Sequence, residues 1–157
     1  MRVKTIEVFN FDELNEAAKE KARAWYRDGF EYDWIGESIG SINYFCECFG
    51  VKLINYSIDT YYGFNYETNA SADHFANLSK DTVENMKLSD GYCLGETMEN
   101  RFKKEFKTGK GLEAFNAAIE RGFEFWLNDL KGQEADEYID ENMIINQYEF
   151  DANGERA

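Results

Sequence analysis

The stretch "GLEAFNAAIERGFEFWLNDLK" (residues 111–131) carries the strongest structural pattern of the chain. Its large apolar residues recur at spacings of three and four, which places them on one face of a helix. These residues are Leu112, Phe115, Ile119, Phe123, Trp126 and Leu130. We therefore predict a long helix over this range, with one apolar face packed into the core of the protein.

The same type of pattern predicts four further helices around this stretch. One precedes it at residues 95–107, and one follows it from residue 134 to about residue 146. Near the start of the chain, Asp12 or Asn15 can cap a helix that Gly29 ends as a left-handed cap. Another helix is predicted over residues 35–49, where Gly50 stops it.

Alternating and β-branched residues predict four strands. Residues 2–9 alternate, and residues 51–58 and 61–68 are rich in Val, Ile and Tyr around a turn at residues 59–60. The closing "QYEFD" is the fourth strand, and we expect the two terminal strands to share a sheet. The polar stretch 69–93 is predicted as a loop with one or two short helical turns.

Together these elements predict an α+β fold, in which a small antiparallel or mixed sheet is covered by several helices. The length of 157 residues fits a single domain over residues 1–157, with neither a repeat nor a linker. No apolar run approaches the ~20 residues of a membrane span, and "MRVKTIEVF" lacks a secretory signal. The expected location is the cytoplasm, with no membrane association.

The charge of the protein is strongly negative, with 31 acidic against 17 basic residues and a net charge of −14. Residues 28–51 contain five carboxylates and neither Lys nor Arg, and residues 129–157 contain nine carboxylates against two basic residues. Such a surface repels the phosphates of nucleic acids. Direct nucleic-acid binding is therefore not expected, whereas a basic protein surface is a fitting partner.

Two groups of carboxylates are candidate partner-binding residues. In "EADEYIDEN" the spacings of three and four align acidic side chains along one helix face, where like charges destabilise an isolated helix. This pattern indicates either a solvated acidic face or a face for a basic partner. The first group is Glu134, Asp136, Glu137, Asp140 and Glu141, and the second is Asp28, Glu31, Asp33 and Glu37.

No motif in the sequence identifies a reaction, a cofactor or a metal site. The single histidine, His74, lies in a polar stretch and is predicted to be a solvated loop residue rather than a catalytic base. "DANGE" resembles the start of a calcium loop but lacks its later ligands, so a tight turn is the favoured interpretation. Cys46 and Cys48 are predicted to be small core-facing or half-buried residues, and no cofactor is expected.

The tyrosines of residues 56–66 permit two functional readings besides core packing. A stacking platform for single-stranded nucleic acid would need a positive groove, and only Lys52 flanks the hairpin. Core packing with a few exposed tyrosines is favoured. The same tyrosines could also serve a protein interface.

Both ends of the chain resemble a group of small proteins that is common in bacteriophage genomes. The resemblance rests on "IEVFNFDELNEAAKEKARAWYRDGFEYDW" and "IINQYEFDANGERA", which together cover 43 of the 157 residues. Members of the group are mostly uncharacterised and are sometimes labelled as antitoxins. The resemblance implies a phage or prophage setting, a site of action in the host cytoplasm, and no transferable catalytic residue.

Three functional hypotheses follow from the charge and the resemblance. The first is a non-enzymatic phage protein that inhibits a host defence or nucleic-acid-processing complex. Anti-CRISPR and anti-restriction proteins are of this kind, and some mimic DNA by placing carboxylates where phosphates would lie. The second is an antitoxin that neutralises a protein toxin. The third is a small-ligand-binding protein or a carboxylate-dependent enzyme.

Overall fold

The computed structural model of the chain describes residues 7–157. The described residues form six α-helices and two antiparallel two-stranded sheets, so the α+β prediction is confirmed. The strands form two separate sheets instead of one. The elements are β1 (Phe9–Asn10), α1 (Glu16–Asp28), α2 (Ile35–Glu47), β2 (Leu53–Asp59), β3 (Gly63–Thr68), α3 (Lys80–Asn85), α4 (Cys93–Phe106), α5 (Gly111–Glu134), α6 (Asp136–Ile145) and β4 (Glu149–Phe150).

The chain divides into two compact units. The first unit comprises the described residues up to Tyr32 together with Lys131–Ala157, and the second comprises Asp33–Leu130. Each unit has apolar residues of its own that are buried, as the following paragraphs describe. The expectation of a single domain stays a prediction.

The first unit joins the two ends of the chain. Strand β1 pairs with β4 in antiparallel register, with Phe9 opposite Phe150, as expected for terminal strands of one sheet. Residues 2–6 of the predicted first strand lie outside the described residues. Helices α1 and α6 supply most of the core beside this sheet. Its buried residues are Phe11, Leu14, Ala18, Ala22, Ile139, Met143 and Phe150.

Local signals explain where α1 begins and ends. The side chain of Asn15, rather than that of Asp12, caps the helix, because Asn15 Oδ1 accepts a hydrogen bond from the Ala18 amide at 2.8 Å. The left-handed cap predicted at Gly29 is wrong, since Gly29 has a φ of −102°. The chain instead continues through a turn in which the Phe30 amide donates to the Arg27 carbonyl.

The second unit is built around a cluster of phenylalanines between α2, α4 and α5. Phe45 stacks on Phe115 with ring centroids 5.4 Å apart, and Phe49 lies 4.8 Å from Phe102. All four side chains are buried. Gly50 adopts a φ of +68° just after α2, as its predicted role in ending the helix requires.

The β2–β3 hairpin packs through one face on α5. Phe123, which is fully buried, stacks on Phe64 and Tyr66 and also contacts Tyr56 and Trp126. The second strand begins at Gly63, two residues later than predicted, because Tyr61 and Tyr62 belong to the turn. Asp59 Oδ1 accepts hydrogen bonds from both of their amides, at 2.7 and 2.9 Å.

The polar stretch 69–93 folds as predicted, with little regular structure. It contains a 3-10 turn at Ala72–Phe75 and the short helix α3 before α4 begins. Phe75, Val83 and Leu88 anchor the stretch, because their side chains are buried. Among residues 7–157, no helix combines the length and the apolar character that crossing a membrane requires.

Candidate partner-binding surfaces

The acidic group around α6 forms hydrogen bonds and ion pairs within the first unit. Arg23 of α1 donates from Nε and Nη2 to the two carboxylate oxygens of Asp140, at 2.7 Å each. The Arg23 side chain is only 11% exposed, so water competes little for this bidentate pair. The hydrogen bond to Asp140 raises the pKa of Arg23 further above its usual value.

Two more acidic residues of this group have partners nearby. Arg27 forms an ion pair with Asp136, and the Tyr32 hydroxyl donates to the Glu134 carboxylate. Glu137 and Glu141 are exposed, and neither takes part in an ion pair among the described residues. The five carboxylates do not share one helix as the spacing predicted, because Glu134 is the last residue of α5 and α6 begins at Asp136. On α6, the charges of Asp140 and Asp136 are offset by Arg23 and Arg27 of α1. Partner binding by the group stays a prediction.

The Arg23–Asp140 pair should contribute measurably to stability. Replacing Asp140 with Asn removes the charge from a bidentate pair with a nearly buried guanidinium, so we expect a loss of about 1–2 kcal/mol in the free energy of unfolding. The control is Glu137→Gln, which removes one negative charge from the same helix where no ion pair forms. Urea unfolding followed by circular dichroism would measure both variants. Equal stability of the two would show that the pair contributes nothing.

The second predicted group divides between the two units. Asp28 and Glu31 belong to the first unit, where they line a cleft together with aromatic residues. Asp33 and Glu37 belong to the second unit. The sequence placed these four residues in one segment, whereas the fold assigns them to separate compact bodies.

A groove along α2 forms an acidic concave surface of the second unit. It has a volume of about 430 Å³, and its lining includes Gly36 and Gly40, which carry no side chain. No lysine, arginine or histidine lines it. We call its charged and aromatic residues the α2 acidic surface: Glu37, Tyr44, Glu47, Asp90 and Tyr92.

Hydrogen bonds fix the loop that supplies one wall of this groove. The hydroxyl of Ser41, buried on α2, donates to the Asp90 carboxylate, whose two oxygens lie 2.9 Å away. Asp90 Oδ1 also accepts from the Tyr92 amide at 3.3 Å. Asp90 and Tyr92 are thereby held beside α2, while Glu37 and Glu47 project from it without a described ion pair.

An apolar pocket adjoins the α2 acidic surface and shares Glu37 and Tyr92 with it. The pocket has a volume of about 320 Å³, and its walls are mainly apolar. Trp34, Leu94 and Phe125 belong to this lining, and Asp129 adds a second carboxylate beside Glu37. Trp34 directly precedes α2, Leu94 lies on α4, and Phe125 and Asp129 lie on α5, which is why no short sequence motif could reveal the pocket.

Other residues that the sequence singled out have structural roles. His74 lies in the 3-10 turn, where its Nδ1 accepts a hydrogen bond from the Ser71 amide at 3.0 Å. Cys46 is buried and Cys48 half-buried, as predicted, and burial raises the pKa of the Cys46 thiol to about 12. Within residues 7–157, no group of three His, Cys, Asp or Glu side chains is placed to hold a metal ion.

The "DANGE" segment and the tyrosines of the hairpin also match their favoured interpretations. Asp151 Oδ1 accepts hydrogen bonds from the Asn153 and Glu155 amides, which closes a tight turn. In the hairpin turn, Tyr61 and Tyr62 are 84% and 86% exposed. Their rings contact each other with centroids 4.8 Å apart, so they form a small aromatic tip. A protein-interface role for this tip stays a prediction.

Comparisons with known proteins add no relative to this description. No protein-family model, no curated protein and no solved structure matches the chain. The similarity of the chain ends to phage proteins stays a prediction. Function must therefore be inferred from the surfaces of the protein itself.

Proposed function

We propose that the protein acts by binding, and that the α2 acidic surface attaches it to a basic surface of a partner protein. One observation carries this proposal. Glu37, Glu47 and Asp90 line a groove to which no basic side chain contributes. Carboxylates gathered without a counter-charge favour association with a positively charged molecule, and they accelerate its encounter at low salt.

The contrast with α6 explains why the α2 acidic surface is preferred. Around α6, Arg23 and Arg27 already neutralise Asp140 and Asp136 within the fold. A partner would have to displace these contacts to use those carboxylates. On α2 the carboxylates Glu37 and Glu47 have no described ion pair to lose, so their charge is available to a partner.

The chemistry of the groove also narrows the class of partner. Proteins that bind nucleic acids carry extended basic surfaces, which neutralise the phosphates. A protein with a net charge of −14 would compete for such a surface. We therefore propose inhibition of a host nucleic-acid-processing or defence complex, in a phage setting, as the biological role. Anti-CRISPR or anti-restriction activity by DNA mimicry is one form of this role.

The proposal can be tested with two matched charge-reversal variants. The test variant carries Glu37→Lys and Glu47→Lys, and the control carries Glu137→Lys and Glu141→Lys, so the net charge changes equally. Each tagged protein is used to capture partners from a bacterial lysate at about 50 mM and about 500 mM salt, because screening at the higher salt weakens charge attraction. Captured proteins are quantified, and duplex DNA is then added as a competitor.

We expect the wild type and the α6 control to capture the same partner at low salt and to lose most of it at high salt. The α2 variant should fail to capture it, and duplex DNA should release it from the wild type. The proposal would be contradicted if both variants lost partner capture equally, or if the amount of captured partner were the same at low and high salt. Capture of a toxic neighbouring gene product, without competition by DNA, would favour the antitoxin hypothesis instead.

A further inference from the structure

We infer that the pocket beside Trp34 holds an arginine side chain of the basic partner. This inference rests on the proposed function, because it specifies how one residue of a basic surface is recognised. The pocket adjoins the α2 acidic surface and shares Glu37 and Tyr92 with it. A partner seated on that surface therefore has the pocket within reach of its side chains.

The walls of the pocket suit a flat, weakly hydrated cation. Trp34, Tyr92 and Phe125 supply aromatic rings, and Leu94 adds an aliphatic surface. Guanidinium groups stack on aromatic faces and are less strongly hydrated than ammonium groups. A side chain with an aliphatic stem and a guanidinium head matches this combination of walls.

The carboxylates at the pocket indicate that its ligand is positively charged. Glu37 lines the pocket one helical turn after Trp34, and Asp129 contributes from α5. No basic residue belongs to the lining. An anion would be repelled by this charge, and a neutral apolar group would leave the carboxylate of Glu37 without a ligand. A guanidinium can satisfy a carboxylate through two parallel hydrogen bonds.

The size of the pocket fits a single side chain. Its volume of about 320 Å³ lies at the lower end of the range of roughly 300–1,000 Å³ that small-molecule sites occupy. A pocket of this size has room for one long side chain of a bound protein.

Trp34, which lines the pocket, has an unusual backbone conformation. It precedes the first residue of α2 with a φ of +68°, a left-handed conformation that is rare for bulky residues. Its carbonyl accepts from the Ser38 amide at 2.9 Å, so the residue is tied to the helix. The side chain is nevertheless 63% exposed. An indole displayed in this way is available to stack on a ligand.

The test uses two small probes that differ in charge but hardly in shape. N-acetyl-arginine amide is positively charged, whereas N-acetyl-citrulline amide is its neutral near-isostere. Each is titrated into the isotope-labelled full chain and followed by two-dimensional NMR, with the Trp34 indole signal assigned by substitution. We expect the arginine probe to shift the Trp34 indole and the Tyr92 and Cys93 amides with millimolar affinity, and the citrulline probe to shift none of them.

Three variants distinguish a ligand-binding role of Trp34 from a structural one. Trp34→Gly removes the indole and suits the left-handed backbone, so arginine binding should vanish while the Tm stays equal or rises. Glu37→Gln should weaken arginine binding about fivefold. The control Tyr61→Ala, which removes another exposed aromatic ring of the same unit, should bind arginine as the wild type does.

The outcomes separate this inference from the proposed function. Binding of citrulline as tight as that of arginine, or a fall of several degrees in the Tm of Trp34→Gly, would overturn the inference. If arginine does not bind but Glu37→Lys with Glu47→Lys still abolishes partner capture, the inference fails and the proposed function stands. If arginine binds but Glu37→Lys with Glu47→Lys leaves partner capture unchanged, the proposed function fails. The assignment of the pocket to an arginine of that partner then fails with it.

Discussion

Replacement of Phe123 by Ala should lower the free energy of unfolding by about 3–5 kcal/mol. The ring is fully buried on α5 and lies against Tyr56, Phe64, Tyr66 and Trp126. Its removal leaves a cavity between the hairpin and the helix and deletes the stacking contacts with the hairpin. Thermal and urea unfolding would measure the loss.

The matched variant Phe123→Leu keeps most of the volume but not the aromatic face. We expect it to cost about 1–1.5 kcal/mol, since near-volume-conserving apolar exchanges are tolerated. The loss of stability in Phe123→Leu reports mainly the missing ring stacking. The additional loss in Phe123→Ala reports the unfilled volume in the core. A loss below about 1.5 kcal/mol for Phe123→Ala would show that the hairpin does not depend on this ring.

Replacement of Gly154 by Ala should destabilise the first unit by about 2–4 kcal/mol. Gly154 is buried at a φ of +86°, and a Cβ atom there would overlap the carbonyl oxygen of Ala18 and lie 2.8 Å from its carbonyl carbon. The obstacle is backbone in α1, which cannot move aside as a flexible side chain could. The expected result is a lower midpoint of urea unfolding.

Gly132→Ala is the control for this prediction and should act in the opposite direction. Gly132 lies near the end of α5 with open space around the position of a Cβ atom. Alanine reduces the entropy lost on helix formation, so stability should rise by about 0.5 kcal/mol. If Gly154→Ala were as stable as the wild type, the "DANG" turn would not pack on α1 as described.

The helices could be predicted because their information is local. The apolar spacing within residues 111–131 predicted α5 to within three residues, and the Asn15 side chain acts as one of the two proposed caps. Helix formation depends on neighbours three and four positions away, which the sequence displays directly. The same reasoning predicted α2 with its stop at Gly50.

The arrangement of the strands could be predicted only in part. The pairing of the chain ends was expected, and β1 does pair with β4. The separation of the hairpin into its own sheet was not expected, because alternation shows which face of a strand is buried but not which strand lies beside it. The stack of the hairpin on Phe123 is likewise a contact between distant residues.

The candidate sites show the same limit. The carboxylates of α6 suggested a partner because like charges at helical spacing need an explanation. The sequence did contain a sign that these carboxylates pair within the protein. Arg23 and Arg27 lie four residues apart and therefore on one face of α1. Nothing local, however, connects Tyr92 and Phe125 with Trp34, and the pocket that they line emerges only when α2, α4 and α5 are assembled.

The β2–β3 sheet has consequences for how copies of the protein behave toward one another. Neither of its outer edges is paired with a third strand in the described part of the chain. Open edges of this kind are templates for further strands and hence for aggregation. With 31 acidic residues against 17 basic ones, each copy repels the next before these edges can meet. We therefore expect the excess of carboxylates to protect the hairpin from self-association, and we expect this protection to weaken as the pH approaches the isoelectric point of about 4.5.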